Sequence, residues 1–309
     1  MTLSCFSDVE RNEKKLNYPT DEYEIDLLSK DRIETKGGLI IIFGNEIIGN
    51  IQSVAEGLDI IVKVNEFYEV SDFIFNNLQT VTKDNRLLES AGMFKIELFS
   101  NGKKLNLADA NGLSILFPIN GENRSEFKSF EGELSRNNGI VWKNPSNAEE
   151  VELQQDTMPI INYSYDEDGV LIDSFIGQSR NFEHIQLNYL KILPKDLNWI
   201  NIDRFLKMNQ NELTKVDIEI EGKFDERVVG IVLKGLNSYI SLYSMNDEKN
   251  KFESNIQLPK GEEIKIVGFC KKGNDYYLSE KDIIVGDKEN VILDLSLIPI
   301  EELHPKLKR

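Results

Sequence analysis

Three runs decide the fold: EFYEVSDFIFNNLQT (66–80), RLLESAGMFKIELFSNGKKLNLADANGLSILFP (86–118) and FKSFEGELSRNNGIVWKNP (127–145). Each alternates apolar and polar residues and is interrupted by Gly, Asn or Asp, the pattern of half-buried strands joined by tight turns. In MFKIELF, Phe94, Ile96 and Leu98 share one face, and Met93, Lys95, Glu97 and Phe99 share the other. Asn101-Gly102 follows, a strong hairpin signal because type I′ turns need positive φ at both central residues. Lys83-Asp84-Asn85 and Asn111-Gly112 read as further turns, FIFNNLQTVT (73–82) as a strand, and Pro118 as the end of LSILFP. FKSFEGELSRNNGIVW reads as a hairpin about Asn138-Gly139 with Trp142 as a core or interface plug beneath it, an exposed ligand-stacking role being the alternative. Consecutive hairpins with almost no helical periodicity predict a β-sandwich.

Outward from these runs, GLIIIFG (38–44) and LDIIVKVNEFY (58–68) add strands, and residues 1–28 read as a polar tail. Residues 29–148 then form a first sandwich. Residues 149–205 form a connecting segment that contains the hairpin INYSYDEDGVLIDSF (161–175) and the apolar run LNWINIDRF (197–205), whose Asn198, Asn201 and Asp203 need partners if buried. Residues 206–309 carry about seven further strands, from KVDIEIEG to NVILDLSLIP, the spacing of an immunoglobulin-like or fibronectin-like sandwich. The expected fold class is therefore all-β, with two sandwich domains. In the junction, Trp199, Ile200 and Phe205 are expected to pack between the domains, while Asp203 and Arg204 satisfy the backbone or each other.

The chain has 309 residues, 40% hydrophobic and 29% charged, with a formal net charge of −17. That field repels nucleic-acid phosphates, and the lysine pairs at 14–15, 103–104 and 271–272 are too short to reverse it. No apolar run approaches the 18 or so residues of a membrane span. Cys270 follows the alternation of EIKIVGF and reads as a small half-buried residue at a strand end. Cys5 ends Thr2-Leu3-Ser4-Cys5, which loosely fits the lipidation site of a bacterial lipoprotein, although the basic and apolar parts of a leader are missing from the sequence. A lipid anchor at Cys5 is the expectation this raises.

Chemistry is harder to find. His184 and His304 are the only imidazoles, and neither has a neighbour that makes it a ligand or base. Asp166, Glu167 and Asp168 lack the alternation of a calcium loop and read as a solvated turn. No phosphate loop, H-E-x-x-H or G-x-S-x-G occurs. Neither a metal nor any other cofactor is implied. Phe67, Tyr68, Phe73 and Phe75, with Tyr239, Tyr243, Tyr276 and Tyr277, suit either a core or an exposed glycan-stacking face. Asp156-Thr157-Met158 matches a short O-glycosylation pattern.

The run from Glu66 to Leu107 resembles a ZU5-like sandwich that recurs in envelope proteins of Bacteroidetes. Glu89-Ser90-Ala91-Gly92-Met93, Asn101-Gly102-Lys103-Lys104-Leu105, Phe117-Pro118, Phe130-Glu131-Gly132 and Ile140-Val141-Trp142 carry the likeness. LNWINIDRF is similar to a second motif of these proteins, Leu-Gly-Trp-Ile-Asn-Cys-Asp-Arg-Phe, with Asn198 in place of the glycine and Ile202 in place of the cysteine. The resemblance implies a periplasmic or surface setting and a structural or interaction role. Some ZU5-containing receptors of animals cleave themselves at a His-Phe-Ser turn, and this sequence has no such triplet. The expected function is a non-enzymatic envelope protein, in adhesion or as a subunit of a surface or secretion assembly with protein partners. A glycan-binding accessory module is the alternative, and a carboxylate-based hydrolase the poorer one.

Overall fold

The computed structural model describes residues 20–26, 32–55, 59–119, 126–134, 140–143, 152–155, 161–165, 171–176, 188–207, 212–245, 248–254, 256–287 and 289–307. Its N-terminal half contains β1 (Asp21–Asp26), β2 (Arg32–Glu34), β3 (Ile40–Phe43), α1 (Asn45–Val54), β4 (Asp59–Phe67), α2 (Val70–Asn76), β5 (Leu78–Thr82) and β6 (Leu88–Ser100). There follow β7 (Lys103–Lys104), β8 (Leu113–Pro118), β9 (Lys128–Leu134), β10 (Ile140–Trp142), β11 (Glu152–Gln155), β12 (Ile161–Tyr165), β13 (Leu171–Ile176), β14 (Asn188–Ile192) and β15 (Trp199–Phe205).

Apart from β12 and β13, which pair with each other as a separate hairpin, these strands make two facing sheets, ordered β1-β4-β6-β15-β9-β10-β5, with β7 hairpinned onto β6, and β11-β14-β8-β3-β2. The alternation puts Val62, Val64, Phe94, Ile96 and Leu98 on the inner face of the first sheet, against Ile41, Phe43, Ile115, Phe117 and Leu190 of the second. The fold is thus the all-β sandwich expected. Ile47 and Ile51, one helical turn apart on α1, close one part of this core.

Several local expectations change. β8 pairs with β3 and β14 in the second sheet, so β6, β7 and β8 are not a run of consecutive hairpins. Residues 21–26, read as tail, form a strand paired with β4. Phe73, Ile74 and Phe75 lie on helix α2, not on a strand, and β5 starts only at Leu78. The Asp72 carboxylate accepts the backbone N–H groups of Tyr68 and Glu69 at 3.2 Å each, and Asn77 closes the helix in a left-handed conformation at φ 52°. Capping at both ends outweighs the alternation of a seven-residue element.

The C-terminal half comprises β16 (Leu213–Thr214), β17 (Val216–Ile220), β18 (Glu226–Leu233), β19 (Tyr239–Met245), β20 (Glu248–Glu253), β21 (Leu258–Pro259), β22 (Glu263–Lys272), β23 (Asp275–Ile284), β24 (Glu289–Leu293), β25 (Ser296–Ile298) and α3 (Ile300–Leu307). The main sheet runs β24-β17-β20-β19-β18-β22-β23-β25. β24 and β25 lie at opposite ends of that order, yet only Asp294 and Leu295 separate them in the chain. The strip therefore bends back over itself and encloses Ile218, Ile220, Val229, Ile231, Ile264, Ile266 and Leu293. Gly268 permits the close approach: a Cβ there would sit 2.7 Å from Leu293 Cδ1.

A third core joins the halves. Phe67, Phe73, Phe75, Leu78, Leu88, Met93, Phe130 and Trp142 meet Tyr239, Val267, Leu278, Ile298 and Leu307. The outward face of β18, β22 and β23 is thus covered by the outward face of the first N-terminal sheet.

Candidate functional site

β15 is a central strand of the N-terminal sandwich, antiparallel to β6 on one side and β9 on the other. Its alternation sends Ile200 and Ile202 into the N-terminal core, and Trp199 and Phe205 into the core between the halves. Trp199 stacks on Phe67 with centroids 5.6 Å apart, and Phe205 meets Phe130 edge-on at 5.5 Å. Trp199 and Phe205 thus lie beside the core between the halves, and Ile200 lies in the N-terminal core. Asp203 and Arg204, as strand neighbours, point to opposite faces and do not pair. Arg204 instead binds Glu89 through Nε (2.9 Å) and a terminal nitrogen (2.8 Å), with Glu126 at 3.7 Å.

Asn201 and Asp203 point the same way as Trp199 and are fully buried. Opposite them on β6 is Ser90, 4% exposed. The Ser90 hydroxyl donates to Asn201 Oδ1 at 2.8 Å, and the Gly92 N–H donates to Ser90 Oγ at 3.1 Å. Asn201 Nδ2 donates to Asp203 Oδ2 in a short hydrogen bond, while Asp203 Oδ1 has no partner. Burial pushes the Asp203 carboxyl well above the usual carboxylate range, and the nearby Glu89 charge pushes the same way. Ser90 and Asn201 pull in the other direction without prevailing. Ser90 Oγ also lies close to the Asp203 carboxyl, while its hydroxyl donates to Asn201. Burial thus favours the protonated form of the Asp203 carboxyl.

The local backbone makes this cluster possible. Between the pairs Ile202–Gly92 and Asp203–Ser90 the register slips, leaving Ala91 as the extra residue of a β-bulge. A Cβ at Gly92 would lie 2.7 Å from the Tyr68 ring, so glycine is what allows the ring to cover the bulge. The Tyr68 hydroxyl in turn donates to Glu66 at 2.6 Å, and Glu66 also accepts from Thr35 at 2.9 Å.

From the C-terminal half, the loop after β18 clamps the same place. The Asn237 carbonyl accepts the Ser90 N–H at 2.9 Å. Asn237 Nδ2 donates to the carbonyls of Ser90 and Tyr68, also at 2.9 Å. Beside it Thr80 Oγ1 and Ser238 Oγ share a hydrogen bond at 2.8 Å, the Tyr239 N–H donates to Thr80 at 2.9 Å, and the Ser241 hydroxyl donates to Asn77 at 2.6 Å. Each apolar contact is thus accompanied by polar pairs that fix its position, since a shift would strand buried groups.

Of the aromatic residues considered for a glycan platform, Tyr239 and Phe73 are fully buried, Phe67 and Phe75 nearly so, and Tyr68, Tyr276 and Tyr277 half-buried. Phe269 lies flat against Tyr276 at 5.8 Å, and Phe224 packs on Tyr277 at 5.4 Å. The side chain of Tyr243 lies outside the described residues. Trp142 is fully buried and donates its indole N–H to the Gln79 carbonyl at 2.6 Å, as a core plug should. Cys270 is completely buried rather than half-buried, and burial pushes its thiol up to about 12 against the opposing pull of Arg227. A thiol so protonated is inert.

Cys5, Asp156-Thr157-Met158, Asp166, Glu167, Asp168 and His184 lie outside the described residues. His304 is on α3, with its side chain outside the described set. Among the described residues, no three His, Cys, Asp or Glu side chains are grouped to hold a metal ion, and no helix is long and apolar enough to cross a membrane. Of the polar residues flagged by the sequence, Asn201 and Asp203 are buried and Asn198 is exposed. Their partner Ser90, 111 positions from Asn201, carried no such flag.

Comparison with known proteins gives no match, either to a family model or to a curated protein. The likeness to ZU5-like envelope proteins rests on the quoted motifs alone.

Proposed function

We propose that this chain is a non-enzymatic structural or adhesion protein of the cell envelope, working as one stiff unit that holds protein partners in a surface or secretion assembly. The observation that carries the reading is the third core, in which Tyr239, Val267 and Leu278 are buried against Phe73, Phe130 and Trp142. Relative motion of the two halves would expose that apolar surface and break the hydrogen bonds of Asn237, Thr80 and Ser241. Chains that flex to bind or turn over substrates draw their moving parts from weakly packed regions, and this junction is densely packed.

The envelope address and a lipid anchor at Cys5 are supported by the Bacteroidetes-type motifs and the Thr2-Leu3-Ser4-Cys5 ending. The acidic surface, at −17 overall, suits partners with basic patches. The test is fractionation of the native host followed by cross-linking and affinity capture from intact envelopes. The reading expects the protein in the envelope fraction, with the same few envelope proteins captured each time. Recovery in the cytosol would overturn it.

A further inference from the structure

The Ser90–Asn201–Asp203 cluster is costly to bury in an otherwise apolar contact. Polar side chains taken from water must recover their hydrogen bonds, and here Asp203 Oδ1 has none. If the cluster served only to fix the register of the halves, the Asn237 clamp beside it would already do so. The cluster instead brings together the groups an acyl transfer uses: a hydroxyl, an amide and a carboxyl. The Ser90 hydroxyl donates to the Asn201 amide oxygen at 2.8 Å, and the Asp203 carboxyl accepts from the amide nitrogen.

We propose that Ser90 Oγ attacks Asn201 Cγ, releases ammonia, and leaves an ester cross-link between β6 and β15. The step balances without a co-reactant or a change of oxidation state. The Oγ–Cγ bond forms and the Cγ–Nδ2 bond breaks, and the serine proton leaves with the amide NH2 as ammonia. For the step the Ser90 hydroxyl turns its proton from Asn201 Oδ1 to the nearby Asp203 carboxyl, which accepts it, delivers one to the nitrogen, and ends in the protonation state in which it began. Burial, which favours the protonated carboxyl, suits this task because no ion forms in the dry interior. The Gly92 N–H holds the hydroxyl oxygen in place.

Two physical effects favour the reaction. Holding the two groups side by side removes the entropy cost of bringing them together. The covering of Tyr68, Met93 and Asn237 keeps out the water that would otherwise hydrolyse the product. The cross-link joins residues far apart in sequence, so it constrains the unfolded chain as a disulfide does. That would strengthen the stiff unit described above, but the chemistry depends only on the cluster and not on where the protein resides.

The test is the mass of the folded, purified full chain. The expected mass is lower than the sequence mass by one ammonia, roughly 17 Da. Succinimides at Asn101-Gly102, Asn111-Gly112 or Asn138-Gly139 would lose the same mass, so peptide mapping decides. The expected product is one branched peptide containing Ser90 and Asn201, which mild alkali splits into a serine peptide and a peptide with aspartate in place of Asn201. Ser90→Ala and Asp203→Asn should each retain the ammonia at position 201. Separate, unjoined Ser90 and Asn201 peptides from wild-type protein kept folded for days would overturn the proposal, whether or not the variants fold.

Discussion

At the residue scale, Asp203 sets the pH behaviour. Its carboxyl titrates in the unfolded chain near 3.9, and burial raises it in the folded one. Between those values the folded state keeps a proton that the unfolded state has released, so stability falls as pH rises. Glu97, raised by burial but lowered further by Lys104 and Lys95, gives the opposite slope at acid pH. The Asp203 contribution is therefore read most cleanly above about pH 5. Asp203→Asn should flatten the decline in the urea midpoint from pH 5 to pH 8, whereas a slope equal to wild type would mean that Asp203 is ionised or exposed. Asn201 and Asp203 were legible as residues in need of partners because they interrupt an apolar strand. Ser90 was not, since serine is ordinary at any strand position and only the bulge at Ala91 turns it toward them.

At the scale of elements, strands were easier to read than their partners. The Asn101-Gly102 turn, at φ 50° and 74°, joins β6 to β7 as its sequence demands. The pairing of β8 with β3, and the insertion of β15 between β6 and β9, join segments distant in sequence and leave no local trace. α1 did have a signal, Ile47 and Ile51 on one face, which the neighbouring strand patterns obscured. α2 was misread because its Phe73 and Phe75 mimic strand alternation, while Asp72 supplies the cap that makes it a helix. Asp72→Ala should cost about 1 kcal/mol in unfolding free energy, measured by urea titration, through loss of that cap. Gly92→Ala should cost about 1–3 kcal/mol, because the added methyl meets the Tyr68 ring. A neutral result at Gly92 would show that Tyr68 does not cover the bulge.

For the whole molecule, the all-β class followed from alternation and turn chemistry, but the way the halves meet did not. The aromatic residues that suited either a core or a glycan-stacking face proved to be mostly core. The decision depended on which strand faces oppose each other, which composition does not encode. Asn237→Ala removes the donor to both Ser90 and Tyr68 carbonyls and should destabilise the junction by about 1–3 kcal/mol. The loss should appear as earlier hydrogen exchange in β18, β19 and α2 rather than in β3 or β8. The central claim, that the two halves are one stiff unit, is tested most directly by scanning calorimetry of the full chain. One transition is predicted, with equal calorimetric and van't Hoff enthalpies. Two resolved transitions in the wild-type protein would contradict it.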